Sequence, residues 1–356
     1  MARPIQATFD LAALKNNLAV ARRLAGRASI MAVIKANAYG HGLLRVAGAL
    51  ADAEGFALLE LDDAVRLREA GYRQRILLLE GCFTAQELPV AVKHKLTVMI
   101  HAREQLQMLQ ALPANDQLDV FLKFNTGMNR LGFPVAAAVR VIEEMKSLPC
   151  VASIVLTTHF ANAEGASGIQ EQMREFDTRV ARPDYHCSLA NSAALLRFPE
   201  ARGNWVRPGL MLYGASPLEE ISADKIGLKP VMTLKSEVIA LQHLKAGDTV
   251  GYGGVFKAKQ AMRIGVIACG YADGYPRHAT NGVSVLVEGE RVPIAGRVSM
   301  DMLCVDLAHV PKAGVGSTAV LWGDGLPIEE VAASAGTVSY ELMCALAARV
   351  PVAEKA

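Results

Sequence analysis

The sequence predicts an α/β protein: an N-terminal (β/α)8 barrel followed by a C-terminal domain made mostly of β-strands. Short apolar runs alternate with helical patterns through the first two-thirds of the chain. From residue 225 onward the chain consists mainly of short runs in which apolar and polar residues alternate. These two observations predict a barrel over 1–224 and a β-rich domain over 225–356. The extreme N-terminal strand is a further candidate for the second domain.

Eight apolar runs of five to nine residues carry the barrel prediction. They lack clean two-residue alternation, which is typical of strands covered on both faces, as in a parallel sheet. The predicted strands are 30–34, 55–59, 75–79, 96–100, 120–124, 152–158, 185–189 and 205–213.

Helical patterns fill the intervals between these runs. Segment 61–71 has acidic residues early, arginines late and a terminal glycine suited to a helix cap, and segments 136–147 and 171–180 are further examples. Strands alternating with helices in this number predict a (β/α)8 barrel. A doubly wound sheet is the structural alternative, but such a sheet usually has a GxGxxG turn after its first strand, and this sequence has none there.

The segment after residue 225 is predicted to be mainly β-structure. Its short alternating runs are separated by Gly, Asp and Pro, and residues 282–296 predict a hairpin about a Glu-Gly-Glu turn. Helical spacing returns over 327–347, so we expect the domain to end with helical structure.

Composition excludes several classes of protein. The chain has 356 residues, of which 52% are hydrophobic and 20% charged, so it has ample material for a packed core and is not disordered. Its 37 Lys and Arg against 35 Asp and Glu give a net charge of +2, which favours neither nucleic acid nor a membrane surface as partner. Function is therefore expected in a localised site.

The N-terminus and the cysteines indicate a cytoplasmic protein. MARPIQATFD shows no signal-peptide pattern, and no apolar stretch approaches the length of a membrane span. The six cysteines are scattered without a CxxC, which predicts free thiols in a reducing compartment. The histidines show no metal-binding spacing, so no metal site is expected.

Polar residues at the predicted strand ends mark the candidate site. Active sites of (β/α)8 barrels lie at the carboxyl ends of the strands. The residues at or near those ends are Lys35, Tyr39, Arg130, His159, Asn191 and Ser192, and Arg207 lies within the eighth predicted strand. Cations with small polar groups suit a phosphorylated, carbonyl-bearing cofactor and an anionic substrate.

Lys35 follows four consecutive apolar residues, so its amine is expected at the rim of a desolvated pocket. Desolvation favours the neutral amine that a Schiff base with an aldehyde requires. A lysine that extends its amine to solvent from a strand end is the alternative that the residues alone leave open.

The segment AVIKANAYGHG resembles the lysine motif of alanine racemases, enzymes that use pyridoxal 5'-phosphate (PLP). Eight further segments resemble blocks of that family in the same order, from the fifth predicted strand almost to the C-terminus. They are LKFNTGMNRLG, THFANA, SLANSAA, VRPGLMLYG, VGYGG, GYADGYPR, GRVSMDM and SYELM. The resemblance implies an isomerase that interconverts L-alanine and D-alanine.

The resemblance also implies how the cofactor is bound. Lys35 carries PLP as a Schiff base, and Arg207 corresponds to the arginine that hydrogen-bonds the pyridine nitrogen. His159 matches the histidine that orients this arginine, although a purely structural histidine is the alternative. The positions corresponding to the phosphate site are Tyr39, Asn191, Ser192, Gly209 and Tyr340.

Further roles are implied for the substrate side. Arg130 resembles the arginine that steers the substrate carboxylate, and Lys123 aligns with a lysine that is carbamylated in some members. Met300 and Asp301 match a substrate-contacting segment from the partner subunit, and Tyr271 resembles an entrance residue that restricts the pocket to small side chains.

Racemisation removes a proton from one face of Cα and returns one to the other, so two acid/base groups are expected. The resemblance assigns them to Lys35 and to Tyr252 in VGYGG. Because Tyr252 lies in the predicted β-rich domain, the resemblance implies that it reaches the barrel of a second subunit. A homodimer with shared active sites follows.

Three other functions stay open. A PLP-dependent decarboxylase would need a carboxylate at the ring nitrogen, where Arg207 is expected instead. A non-enzymatic PLP carrier would not need the β-rich domain with VGYGG. A broad-spectrum racemase for small amino acids differs only in the size of its pocket, and Tyr271 favours a small one.

Overall fold

The computed structural model describes residues 3–355. The chain begins with strand β1 (Gln6–Asp10), which leads directly into helix α1 (Leu11–Ala25). Asp10 caps this helix because its carboxylate accepts the Ala13 N–H at 2.8 Å.

Eight parallel strands then close into a barrel, as predicted. The closure is made where β10 pairs with β2 through Trp205 opposite Ser29 and Val206 opposite Ile30. A short strand, β7, pairs with β6 beside the barrel. The strands are β2 (Ser29–Val33), β3 (Gly55–Leu58), β4 (Arg75–Leu78), β5 (Thr97–Ile100), β6 (Leu118–Asn125), β7 (Phe133–Pro134), β8 (Val151–Thr157), β9 (His186–Ser188) and β10 (Trp205–Val206).

Helices lie between the barrel strands and bury one face each. The predicted helix over 171–180 is formed in two parts, since a π-helical turn at Phe176–Val180 follows α8. The helices are α2 (Lys35–Tyr39), α3 (Leu43–Ala49), α4 (Leu61–Glu69), α5 (Leu88–Lys93), α6 (Arg103–Gln110), α7 (Ala138–Lys146), α8 (Gln170–Glu175) and α9 (Ser192–Arg197).

The eighth strand is shorter than predicted. The apolar run over 205–213 forms a strand only at Trp205–Val206, and Leu210–Tyr213 is a 3-10 turn. Pro208 has no N–H to continue a ladder, which explains the early end. The prediction that Arg207 lies within the strand is therefore wrong, and Arg207 stands just beyond its carboxyl end.

The C-terminal part is mostly β-structure, as predicted. The 13-residue strand β11 lies at its centre, and the predicted hairpin is formed by β15 and β16 around Glu288 and Gly289, which have φ of +52° and +83°. The elements are β11 (Met232–Leu244), β12 (Thr249–Val250), β13 (Phe256–Lys257), β14 (Met262–Ile267), β15 (Ser284–Val287), β16 (Glu290–Pro293), β17 (Leu303–Asp306), β18 (Thr318–Trp322), α10 (Ile328–Ser334), α11 (Ser339–Cys344) and β19 (Val352–Lys355).

Strand β1 belongs to the sheet of the C-terminal part. It pairs antiparallel with β11 and parallel with β19, so the two ends of the chain lie side by side. The Lys355 ammonium is 3.0 Å from the Asp10 carboxylate, and Arg45 on α3 hydrogen-bonds Glu354 at 2.6 Å. One buried apolar cluster runs through both parts.

Every helix in residues 3–355 is too short or too polar to cross a membrane.

Gly214 follows the 3-10 turn Leu210–Tyr213, and a substitution there tests how closely the chain packs at the junction of the two parts. Its φ is +86°, and an added Cβ would overlap the Lys229 carbonyl oxygen. We expect Gly214→Ala to lower the free energy of unfolding by about 3 kcal/mol or more. Gly26→Ala is the control, because Gly26 also has positive φ (+63°) but open space around it. There we expect a loss of about 1 kcal/mol in urea denaturation, and equal losses would contradict the predicted overlap.

Candidate active site

A cavity of about 560 Å³ opens at the carboxyl ends of the barrel strands. This volume is in the range of small-molecule sites. Ten of the predicted site residues line it, namely Lys35, Tyr39, Lys123, Arg130, His159, Asn191, Ser192, Arg207, Gly209 and Tyr340. The structure therefore brings these residues, predicted from the strand ends or from the family resemblance, together around one cavity.

Lys35 begins an unusual turn directly after β2. Residues Ala36, Asn37, Ala38 and Tyr39 all have φ between +50° and +55°, so α2 is a left-handed turn. Such a conformation costs about 1–2 kcal/mol for each non-glycine residue, so the surroundings must hold it. Two bonds from Asn37 contribute, since its side-chain oxygen accepts the Leu43 N–H at 2.9 Å and its carbonyl accepts the Gly42 N–H at 2.9 Å.

Tyr39 and Tyr340 lie together at one side of the cavity, with ring centroids 5.4 Å apart. Burial raises the pKa of Tyr39 well above its ordinary value, and that of Tyr340 to about 12. Both hydroxyls therefore keep their protons at neutral pH and can donate hydrogen bonds to an anion. Tyr340 comes from α11, so the C-terminal part of the same chain contributes to this side of the cavity.

The backbone around Gly209 completes this side. An added Cβ at Gly209 would lie 2.7 Å from the Tyr39 hydroxyl, so a larger residue would disturb this corner. The Ser192 hydroxyl accepts the Gly209 N–H at 2.9 Å. The Asn191 side chain caps α9 by accepting the Ala194 N–H at 2.9 Å, so this oxygen serves the helix and not a ligand.

Arg207 also lines the cavity, and several hydrogen bonds hold its side chain. Its guanidinium donates to the hydroxyls of Thr157 and Ser188 at 3.1 and 2.6 Å, and to the Thr158 carbonyl at 2.7 Å. Burial lowers the pKa of Arg207 to about 10, which leaves it a cation at neutral pH. Its hydrogen-bond partners among residues 3–355 are hydroxyl and carbonyl oxygens, and no carboxylate is among them.

Two further cations face the same space. Lys123 is buried in β6, and burial together with the nearby Arg207 and Arg130 lowers the pKa of Lys123 to about 8. Arg130 is placed by a turn in which the Asn125 side chain accepts the N–H groups of Gly127 and Asn129 at 3.1 and 2.9 Å. The cavity is thus strongly cationic.

His159 lies beside these cations as a neutral group. Burial, with Arg207 next in effect, lowers the pKa of His159 to about 3. The hydrogen bonds of Arg207 within the described chain go to other partners, and none goes to the His159 ring. The predicted orienting contact is therefore not formed as a direct hydrogen bond.

Sequence reasoning missed Glu80 and His101, which also line the cavity. Each directly follows an apolar strand, so the same strand-end rule would have found them. Glu80 supplies the single carboxylate among the described lining residues, and its carbonyl lies 3.2 Å from the His101 Nε2.

Four predicted residues lie away from the cavity of their own chain. Tyr252 is 70% exposed and Met300 53% exposed, on the surface of the C-terminal part. Tyr271 and Met300 lie on adjacent loops, since the Tyr271 N–H donates to Ser299 at 3.1 Å and the Ala272 N–H donates to Met300 at 2.9 Å. Asp301 follows on the same loop.

A charged network fixes these two loops. The Asp273 carboxylate is fully buried and accepts from Arg3 at 2.7 Å and from Arg349 at 2.8 Å. Arg349 also reaches the Asp301 carboxylate at 2.6 Å. The arginines come from the two ends of the chain, so the network joins both ends to the loops that carry Tyr271 and Met300.

The fold and the cavity define a (β/α)8-barrel enzyme whose site takes an anionic small molecule. The sequence matches the model of the alanine racemase N-terminal domain over residues 9–217 and of the C-terminal domain over 231–353. The chain belongs to the alanine racemase family.

Relatives and solved structures agree over almost the full length. The chain is 56% identical to an alanine racemase of Nitrosospira multiformis, over 98% of this chain and 99% of that protein. It is 51% identical to a catabolic alanine racemase of Klebsiella aerogenes, over 99% of both chains. The crystal structure of a biosynthetic alanine racemase from Pseudomonas aeruginosa covers 100% of both chains, with a TM-score of 0.96 and 44% identity.

The family is PLP-dependent, and the cavity fits this cofactor. A lysine amine lies at the rim, protonated tyrosine hydroxyls lie near a backbone corner that a Cβ would fill, and a fixed guanidinium faces them. An aldehyde, a phosphate and a ring nitrogen each have a partner of suitable chemistry.

The buried network makes a testable contribution to stability. Asp273→Asn removes the charge that two arginines share, so we expect the free energy of unfolding at pH 7 to fall by about 2 kcal/mol. Asp324→Asn is the control, because Asp324 is exposed on the same part of the chain, and we expect a change below about 0.5 kcal/mol.

The same variant predicts a pH dependence. Burial opposes ionisation, but hydrogen bonds from Arg3 and Arg349 lower the pKa of Asp273 below its ordinary value. The stabilisation is therefore complete above the unfolded pKa, about 4, and is lost as pH falls through the folded pKa. The difference between wild type and Asp273→Asn should shrink in acid. A difference that stays constant on acidification would contradict this account.

Proposed function

We propose that this protein interconverts L-alanine and D-alanine with PLP as cofactor, and that Lys35 is the lysine that holds the cofactor. The observation that carries the proposal is the position of Lys35. It stands directly beyond a buried strand, on a strained turn, in a cavity that contains three further basic side chains. Membership of the alanine racemase family supports the same reaction.

When bound, PLP supplies an aldehyde that takes up the amino group of alanine and a ring that stabilises negative charge on Cα. The Lys35 amine then moves a proton at one face of Cα. The Tyr252 hydroxyl moves a proton at the opposite face, so that the configuration inverts.

The remaining side chains bind and orient. Arg130 is proposed to hold the substrate carboxylate, and Tyr39, Ser192 and Tyr340 the phosphate, with the backbones of Asn191 and Gly209. Arg207 keeps its own proton, so it offers a hydrogen bond and not a proton to the ring nitrogen. That property opposes strong delocalisation of charge into the ring, which suits a racemase better than a decarboxylase.

We further infer that the enzyme is a homodimer whose sites are shared. Tyr252 does not line the cavity of its own chain, and the exposed apolar side chains of the C-terminal part include Val255, Met300 and Met302. A second copy could bury this surface and bring Tyr252, Tyr271, Met300 and Asp301 to the opposite barrel. Tyr271 would then limit the pocket to a small side chain.

We also propose a domain boundary and a cellular location. The boundary between the parts is set at residues 224 and 225, where the chain passes from the barrel toward β11. A cytoplasmic location agrees with the six cysteines, all of which are free thiols in the structure.

Isotope exchange tests the reaction. With either enantiomer of alanine in D2O, the enzyme should introduce deuterium at Cα with inversion and without release of CO2. Lys35→Ala should lose the visible absorption of bound PLP and all exchange. Tyr252→Phe should keep the absorption and lose exchange mainly at one face, and native racemisation by Tyr252→Phe would exclude the two-base assignment.

Mixing two inactive variants tests the shared site. A heterodimer of Lys35→Ala with Tyr252→Phe contains one site with both native groups and one with neither. Since half of the dimers in an equal mixture are heterodimers, we expect about a quarter of wild-type activity after re-association. If both groups act within one chain, the mixture stays inactive.

We propose that Lys123 is carbamylated by CO2. The amine nitrogen forms a bond to the CO2 carbon and releases a proton, and the new anion lies among cations. The position of Lys123 near Arg130 and Arg207, with the pKa of Lys123 lowered to about 8, supports this reaction because only a neutral amine attacks CO2.

Nuclear magnetic resonance with ¹³CO2 tests the modification. The wild-type enzyme should show a carbamate carbon signal that is absent from Lys123→Arg and present in the exposed-site control Lys93→Arg. The signal should grow as pH rises through about 8. A signal that persists in Lys123→Arg would assign the carbamate to another lysine.

A further inference from the structure

The aromatic residues behind the Lys35 turn form a continuous stack. The ring centroids of Phe9 and His41 are 5.0 Å apart, those of His41 and Tyr213 are 4.8 Å apart, and those of Tyr213 and Tyr39 are 4.6 Å apart. Phe9 lies on β1 in the second sheet, so the stack connects that sheet with the turn. Tyr340 continues it on the cavity side.

His41 is the one member of this stack with a polar edge directed at the turn. Its Nδ1 lies 2.8 Å from the Tyr39 carbonyl and 3.1 Å from the Ala38 carbonyl, and the side chain is fully buried. Both partners can only accept, so Nδ1 carries the proton. Its Nε2 has no partner among the described residues.

The surroundings keep this ring neutral. Burial lowers the pKa of His41 to about 4, and the Arg45 cation acts in the same direction. Arg45 is nearby because it donates to the His41 carbonyl at 2.5 Å and lies over the Phe9 ring. The rings of Phe9 and Tyr213 pack against the His41 ring. A neutral ring with one fixed N–H is therefore the state present at physiological pH.

We propose that His41 is a positioning residue whose Nδ1–H clamps the left-handed turn Ala36–Tyr39 and so aims Lys35 and Tyr39 into the cavity. The two carbonyls that it binds belong to residues with φ of +55° and +50°, which other conformations would turn away. Tyr213 holds the end of the strand that precedes the turn, because its hydroxyl donates to the Val33 carbonyl at 3.0 Å. The inference rests on the proposed role of Lys35.

Two substitutions at His41 separate its hydrogen bond from its bulk. His41→Phe keeps an aromatic ring and removes the donor, whereas His41→Asn can place an amide N–H near the position of Nδ1. We expect His41→Phe to fold, to shift or weaken the visible absorption of bound PLP, and to lower kcat about 100-fold with little change in KM for alanine. His41→Asn should recover most of this loss.

A second-site change tests the turn itself. Glycine adopts positive φ without penalty, so Ala36→Gly, at an exposed position with φ of +52°, should partly restore kcat in the His41→Phe background. A merely structural role for His41 would lower thermal stability without this rescue and without a split between kcat and KM. Wild-type kcat and absorption in folded His41→Phe would overturn the proposal, and so would His41→Asn behaving like His41→Phe.

Lys35→Ala distinguishes failure of this inference from failure of the proposed function. If Lys35→Ala keeps racemase activity and PLP absorption, the assignment of Lys35 fails and the His41 proposal fails with it. If Lys35→Ala loses both while folded His41→Phe equals the wild type, only the His41 proposal fails.

The wild-type holoenzyme gives an independent measurement in case His41→Phe does not fold. In ¹⁵N-histidine-labelled protein, the His41 ring should be neutral with the proton on Nδ1 throughout the range of about pH 6 to 8. A proton on Nε2, or a charged ring in this range, would overturn the proposal.

Discussion

The excess of positive charge in the cavity is the constraint on which the rest of the site depends. Lys35, Lys123, Arg130 and Arg207 face one space, and Glu80 is the single acid among the described residues that line it. Uncompensated charges of one sign are costly when they are partly desolvated. The protein limits this cost by lowering the pKa of Lys123 and by keeping His159 neutral, and an anionic ligand removes most of what remains.

The second sheet gives this cationic space its shape. Because β1 lies between β11 and β19, the two ends of the chain hold the sheet against the barrel, and α11 is brought over the left-handed turn. Tyr340 on α11 then contacts Tyr39 across the corner near Gly209. The barrel alone would keep Tyr39, His41 and Tyr213 but would lack Phe9 and Tyr340, the two ends of the aromatic stack. The two parts of the chain are therefore needed for one site.

The sequence predicted the barrel well because buried parallel strands are short apolar runs, and ten candidate residues followed from the ends of those runs or from the family motifs. It failed where local pattern and tertiary structure differ. The strand predicted over 205–213 is too long because Pro208, a residue that argues against a continuing strand, was outweighed by the apolar run. Nothing local predicts four successive positive φ angles in KANAY. Asp273 is joined to Arg3 across 270 residues, a distance over which no pattern in one sequence is informative.

The position of Tyr252 also follows from the architecture. The described groups that line the cavity, Lys35 among them, come from the barrel strands, the segments that follow them and α11. Under the proposed two-base reaction, the donor for the other face of the ligand would come from a second copy, since the 252–254 turn does not line the cavity of its own chain. Tyr252, Tyr271 and Met300 are instead exposed on the C-terminal part, and Asp273 and its arginines hold the loops that carry Tyr271 and Met300. Rigid loops with exposed apolar tips are suited to insertion into a second copy of the molecule, since their order is already established before association and little entropy is lost on binding.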